Sequence, residues 1–209
     1  MTTFEHAMFG ANLALVTGWT RKQGWGLALM AALAAALADW DGLSILFGGE
    51  AYSQIHRVWG HNLFATLFLG AMVGALAYLA FLSHGVREKT RRWIKDLNPL
   101  QPPPYSNASL ACWIFTGCIA SISHLPADMI YSGHKEMTNW PVKIFWPAHE
   151  QGYVLPLVAW GDLTSTFLFI LAMFAMYRWP AKAQAIAFLA LLAVNAYIGF
   201  CWLGGGIAR

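Results

Sequence analysis

His124 and Asp128 stand four residues apart in the segment SHLPADMIYSGH, at the end of the apolar run ASLACWIFTGCIASIS. On a helix that spacing sets an imidazole and a carboxylate on one face. Nitrogen and oxygen donors so placed can share one divalent cation, with zinc, manganese and iron all suited to the pair. The competing reading is a polar helix end reaching the lipid headgroups. Pro126 lies between the two residues and fits a first helical turn better than a helix interior, so the spacing belongs to a kinked or frayed turn.

Two further motifs carry the same residue types. ADWDG, Ala38 to Gly42, holds Asp39 and Asp41 at the end of an apolar segment. Two positions apart, they do not share a helix face, but a turning chain can point both into a cleft. Gly42 then acts as the helix stop. A helix C-terminus is a poor place for acids unless a cation is near. HRVWGH brings His56, Arg57 and His61 together. Neutral imidazoles ligate metals, and a guanidinium grips phosphate with a fork of donors. Arg, Trp59 and His are also common interfacial anchors. Several acids and histidines converging at membrane depth without a cation would carry a large desolvation penalty, which a metal removes.

The elements that must position these groups are membrane helices. Of the 209 residues, 58% are hydrophobic and 11% charged, against about 25% charged in a soluble domain. The chain therefore reads as one all-α domain over residues 1–209, an integral membrane bundle of about five to six transmembrane helices. A hydrocarbon core of about 30 Å needs about 20 apolar residues of helix. The candidate spans are Gly24–Ala38, which LFG can extend, Trp59–Ser83, Ala108–Ser123, Tyr153–Tyr177 and Ala183–Leu203. Phe4–Gly18 either spans at a tilt or lies in the interface. Residues 84–107 form a basic, then proline-rich loop, read as an interfacial turn of helix followed by a stiff linker. Cys112, Cys118 and Cys201 lie in apolar runs and read as small buried residues without a disulfide framework. The N-terminus has no basic region of a signal peptide, and the later apolar segments argue against a once-cleaved secreted protein.

Arg21 and Lys22, the group Arg87, Lys89, Arg91, Arg92 and Lys95, and the pair Arg178 and Lys182 fall in three loops. The positive-inside rule puts these loops in the cytoplasm. Threading the chain accordingly brings His6, Asp39, Asp41, His56, His61, His124, Asp128, His134 and His149 to the extracytoplasmic face of the plasma (inner) membrane. Six of the seven histidines then share one face, which points to a site. His84 alone falls at the other end, as a solvated interfacial residue.

DWDG, HRVWGH, SHLPAD and the downstream FWP together resemble the YdjM-type membrane-bound metal-dependent hydrolases, over roughly residues 4–160. That family is distantly similar to zinc-dependent phospholipase C and the P1-type nucleases, helical enzymes that use a metal cluster on phosphoesters. Asp41 precedes His56 by fifteen residues and His134 follows His124 by ten, which matches their pattern. The resemblance implies a first metal site of Asp41, His56, His124 and Asp128, with His6 and His134 at neighbouring positions. His149 departs from the pattern: Tyr153, not an acid, stands four residues on, so either Glu150 substitutes or this further metal site is absent.

The expected chemistry is a water activated by zinc, or by manganese as the alternative, attacking a phosphoester in line. Asp39 serves as base or as an outer hydrogen-bond partner, Arg57 stabilises phosphoryl charge, and His61 is a ligand or an outer donor. A membrane lipid or lipid-linked phosphate suits a site at the outer face. Trp140, Phe145 and Trp146 either sit at that level or anchor the loop. Asp162 is either a partner of a site histidine or packing glue through Thr164 or Asn195. The rival class is a non-catalytic metal-binding protein or transporter, although a transporter would carry polar groups at midplane rather than at one end. A di-iron desaturase would need roughly eight histidines, some paired, on the cytoplasmic side. The basic loop suits anionic lipid and topology rather than nucleic acid.

Overall fold

The computed structural model describes residues 1–93, 102–133 and 140–205. It is all-helical. Among the described residues there is no strand, only two isolated bridges, Gly133 with Ala159 and Val142 with Tyr153. The helices are α1 Thr3–Val16, α2 Thr20–Gln23, α3 Gly26–Ala36, α4 Gly49–Ile55, α5 Leu63–Leu82, α6 His84–Trp93, α7 Asn107–Ile122, α8 His124–Ile130, α9 Thr164–Arg178 and α10 Ala183–Leu203. A 3-10 segment, Leu37–Phe47, joins α3 to α4.

Among the described residues, four stretches are long and apolar enough to cross a bilayer: Gly26–Phe47, Leu63–Leu82, Asn107–Ile130 and Pro180–Leu203. α1 and α9, with 14 and 15 residues, reach only about 21–23 Å at 1.5 Å per residue. Length alone therefore identifies four candidate spans among the described residues and does not confirm the count of five to six. The expected span Tyr153–Tyr177 is corrected in its first half, because the helix starts only at Thr164. Before it, the N–H groups of Leu155, Leu157, Val158 and Trp160 donate to the carbonyls of Met129, Ile130 and Gly133. These bonds to the end of α8 hold the chain extended, and Pro156 cannot supply a helical N–H. Gly161, at φ 83°, makes the turn, and Asp162 accepts from Thr164 N at 2.9 Å to start α9.

Sequence explains the other boundaries. Asn62 caps α5 by accepting from Ala65 N, and Ser106 caps α7 through Ser109 N, each satisfying an orphan donor of the first turn. Pro126 sits in the first turn of α8, where its missing N–H costs nothing. α6 forms in the basic loop as expected, and Arg87 donates to the last carbonyls of α5, Phe81 O and Leu82 O, where a cation is favoured. The proline-rich linker lies partly at residues 94–101, outside the described residues.

Small residues let the spans approach closely. A Cβ at Gly70 would sit 2.6 Å from Gly117 O, and one at Gly74 2.6 Å from Trp113 O. α5 and α7 therefore pack backbone to backbone, as lipid-embedded helices do. Gly10 does the same against Ala31 and Ala35, joining α1 to α3. Around these contacts lies the core of Leu27, Met30, Tyr78, Trp113 and Ala187. The three cysteines are unpaired and half-buried, less enclosed than expected.

The packing separates the two ends of the bundle. Gln184 reaches Val16 O and Trp113 reaches Gln23, which gathers the Arg21–Lys22 turn, the α9–α10 turn and α6 at one end. The start of α1, the 3-10 segment, the entry to α5 and α8 meet at the other.

Candidate metal centre

The 3-10 segment shapes the first part of the site. Gly42 does not stop the helix as its position suggested; the chain winds on to Phe47. Ser44 donates to Asp41 O at 2.6 Å, which holds the tighter turn. At three residues per turn, Asp39 and Asp41 project in different directions, and each meets a different set of partners.

Asp39, His61, His124 and Asp128 bring one donor atom each to within 4.8 Å of one another. His61 Nε2 lies 3.0 Å from His124 Nε2. Asp39 Oδ1 is 3.4 Å from both rings. Asp128 Oδ2 is 3.2 Å from His61 Nε2 and 3.7 Å from His124 Nε2. Both histidines and Asp128 are buried, and the Asp39 side chain keeps 17% exposure.

Hydrogen bonds behind these atoms fix what they offer. His124 Nδ1 is 2.7 Å from Ala35 O. A carbonyl only accepts, so Nδ1 carries the proton and, in the neutral ring, Nε2 presents a lone pair. His61 Nδ1 donates to Asp41 Oδ2 at 3.1 Å, which aims its Nε2 the same way. Two lone pairs facing at 3.0 Å repel unless a proton or a metal ion lies between them. The outer carboxylate oxygens are held too: Thr3 donates to Asp39 Oδ2 at 2.6 Å, and His6 Nε2 lies 3.0 Å from Asp128 Oδ1.

The donor set passes a geometric test for a cation. Tetrahedral zinc with bonds of about 2.0–2.1 Å has donor–donor edges of about 3.3 Å. Five of the six edges here span 3.0–3.7 Å. Two imidazoles and two carboxylates suit zinc or manganese, and every ligand has the outer partner that metal sites use to orient it.

Asp41 belongs to a second group, with His56 and His61. It accepts from His56 Nδ1 at 2.8 Å, His61 Nδ1 at 3.1 Å and Gly60 N at 2.7 Å. Asp41, His56, His124 and Asp128, the set implied by resemblance, therefore divide between two groups that meet at His61. His6 stacks on His124 with centroids 3.4 Å apart and contacts Asp128. His134 lies outside the described residues. His149 is exposed, and Glu150 pairs with Lys143 at 2.6 Å, so neither joins the cluster. Asp162 is packing glue through Thr164, as one reading had it, and also accepts from Tyr197. Asn195 instead donates to Leu191 O.

A cleft of about 490 Å³ opens on the cluster, lined by Thr3, Asp39, Tyr52, His56, Arg57, Asp128 and Trp160 among others. Arg57 is 2% exposed. Its Nη1 donates to Trp140 O, and the guanidinium lies 5.1 Å over the Trp140 ring. Nε, 3.3 Å from Asp128 Oδ2, has no hydrogen-bond partner. Arg57 also holds φ at 65°, a left-handed conformation of a bulky residue that surrounding structure must enforce. Trp140 thus covers Arg57 and stacks edge-on to His56, a role beyond anchoring; Phe145 stays exposed.

Burial lowers the charge preference of the His61 ring, but its contacts with the Asp128, Asp39 and Asp41 carboxylates outweigh it and hold its pKa well above the usual value.

Thr3, Tyr52, Gly60 and Trp160 were not singled out by motif. Gly60, inside HRVWGH, carried the one readable signal: a Cβ there would strike Ala38 O. Gly60→Ala is expected to push the Gly60 N–H off Asp41, the outer partner of His61, and to weaken metal binding by up to about 10-fold, the low end of what loss of an outer partner costs. Metal titration of the purified variant checks this, and unchanged affinity would dismiss the cradle.

No match was found among curated proteins or among solved structures. The family model described as YdjM inner membrane protein matches residues 1–208. With that match over nearly its whole length, its membrane-length helices and its His/Asp cluster able to hold a metal ion, this chain belongs to the YdjM inner membrane protein family.

Proposed function

We propose that the chain is a membrane-bound metal-dependent hydrolase that cleaves a phosphoester of a lipid or lipid-linked substrate. The observation that carries the reading is the convergent set Asp39, His61, His124 and Asp128 opening on a cleft that also holds Arg57. In this reading those four residues hold one divalent cation, zinc first and manganese as the alternative. The bound cation would supply Lewis acidity that brings the pKa of a water toward neutrality.

The protein's own groups do the rest. Arg57, preset by its backbone and by Trp140, offers unused N–H donors to phosphoryl oxygens, a fork geometry suited to phosphate. Its pairing with Asp128 keeps the guanidinium beside the reacting centre. His56 gives Nδ1 to Asp41, which leaves Nε2 as its exchangeable nitrogen for moving a proton at the cleft wall. Asp39 acts as a ligand here, and Asp41 as the group that sets the tautomers of His56 and His61. His6 orients Asp128.

A second reading has an observation of its own. Four protein donors complete a tetrahedron, and closed sites of that kind are structural. A non-catalytic metal-binding membrane protein is therefore the alternative. The cleft and the partial exposure of Asp39 favour catalysis over it. Elemental analysis of detergent-purified protein, followed by turnover assays with p-nitrophenyl phosphate and phosphatidic acid, separates the two. Near-stoichiometric zinc or manganese with metal-dependent phosphate release is expected. Metal without turnover of any phosphoester would leave the structural site, and protein without metal would remove both.

The basic loops lie at the end opposite the cluster, which supports an extracytoplasmic site. Single cysteines at Gln54 and Lys89, both exposed, should label from opposite sides of intact cells. Labelling from the same side would reverse the assignment.

A further inference from the structure

The cleft carries apolar side chains, Leu43 and Trp160, beside its polar ones. α5, with twenty residues, is about 30 Å long and by itself uses the thickness of the hydrocarbon core. His61 lies two residues before it, so the cluster sits at the edge of that layer. Yet the 3-10 segment leaves the cluster at Asp41 and runs on to Phe47. Leu43, Ile45, Leu46 and Phe47 are 63%, 53%, 78% and 82% exposed. No ionisable residue stands between Asp41 and Glu50.

At three residues per turn Leu43 and Leu46 fall on one face, with Ile45 and Phe47 to either side of it, all within the membrane-length stretch Gly26–Phe47. The patch is continuous with the cleft, because Leu43 lines it. The cleft lining also carries Trp160, 51% exposed. The cleft is therefore amphipathic: Arg57, His56 and the carboxylates at its base, hydrocarbon at its mouth.

Resting on the hydrolase reading above, we propose that Leu43, Ile45, Leu46 and Phe47 form the track along which the hydrocarbon chain of a phosphorylated amphiphile leaves the cleft. The substrate then enters sideways from the bilayer, its phosphate drawn to Arg57 and its chain remaining in contact with Leu46 and Phe47. A water-soluble phosphoester would use only the base of the cleft.

The test compares hexadecylphosphonate with ethylphosphonate, two anions that share a headgroup and resist hydrolysis. Each is titrated by calorimetry into zinc-loaded, detergent-purified protein, wild type and Leu46→Asp/Phe47→Asp. Wild type should bind the long chain at least about 100-fold more tightly, since three or four methylenes on the track suffice for that. The variant should lose about 10-fold or more for hexadecylphosphonate and nothing for ethylphosphonate. A milder Leu46→Ala/Phe47→Ala pair is measured beside it, with retained zinc reporting an intact site. Equal affinity for the two phosphonates in wild type would overturn the track, as would equal losses for both in either variant. A change in oligomeric mass on substitution, with long-chain affinity unchanged, would assign the patch to a second copy and overturn it too. Turnover of p-nitrophenyl phosphate without chain-length discrimination sinks the track and leaves the hydrolase. Chain-selective binding without turnover of any phosphoester sinks hydrolysis and leaves the track.

Discussion

Asp128→Asn is expected to lower metal affinity on the order of 1,000-fold, well beyond the about 10- to 100-fold that an outer partner is worth. Asparagine keeps the shape of the side chain but removes the charge that faces His61, His124 and Arg57. Asp39→Asn should behave alike, because Asp39 supplies the other carboxylate of the cluster. Asp41→Asn should fall in the milder class. Its carboxylate accepts from two imidazoles and one backbone N–H. An amide has one acceptor oxygen, so one of the two histidines must then change tautomer or turn away. Competition titration against a chelator of known affinity ranks the three variants. A larger loss for Asp41→Asn than for Asp39→Asn would exchange their roles and return the ligand to Asp41.

The Asp128 substitution has a second consequence. Arg57 is buried beside it, and a buried charge stripped of its partner destabilises by about 3–5 kcal/mol. Metal-free Asp128→Asn protein should therefore melt earlier than metal-free wild type. Adding Arg57→Met to it should recover part of that loss, which a role for Asp128 in metal binding alone would not explain.

Metal affinity should rise steeply with pH, and the stability gained on metal loading should grow with it. His61 has a raised pKa in the metal-free fold because three carboxylates surround it. A metal needs the lone pair of Nε2 and must displace that proton. Below the folded pKa of His61, affinity should gain about tenfold per pH unit for each proton displaced. The slope should continue above pH 6.5, the ordinary value for histidine, because the folded pKa lies higher. The sign for the apo protein is the reverse. A raised pKa means the protonated ring stabilises the fold, fully so below about pH 6.5, and that contribution is lost as pH rises through the folded value. Thermal melting with and without zinc between pH 5.5 and pH 9 should thus show the gap between the curves widening with pH. A gap independent of pH would mean that His61 is neutral in the apo protein, and the proton–metal exchange would be wrong.

Much of the bundle was written in the residues. α10 covers Ala183–Leu203 as the apolar run does, and α5 and α7 follow theirs within a few residues. Hydrophobic length decides a membrane helix because no other backbone state satisfies its polar groups in lipid. The gathering of His6, His56, His61, His124, Asp39, Asp41 and Asp128 at one end was legible for a related reason. Once basic loops are assigned to one side, span parity carries every other loop to the opposite side.

The division of labour within that group was not legible. Asp39 and Asp41 are identical in type and adjacent in the motif. Which one meets His124 depends on the rotation of the segment about its axis. That rotation is set by the 3-10 winding after Ala36 and by close contacts made elsewhere, Gly10 on Ala31 and Gly60 on Ala38. Ala35 O, which fixes the tautomer of His124, is a backbone atom with no sequence signature. Thr3, which holds Asp39, is thirty-six residues distant and unremarkable in composition. The extended run before Thr164 reads as helix in the sequence because its apolar residues satisfy a hydropathy window, while in the fold their N–H groups are bonded to the end of α8. Sequence alone determined a helical membrane protein with metal-binding residue types at one end. Tertiary packing decided which donor atoms converge, because convergence is set by rotation and backbone contact, and neither is encoded locally.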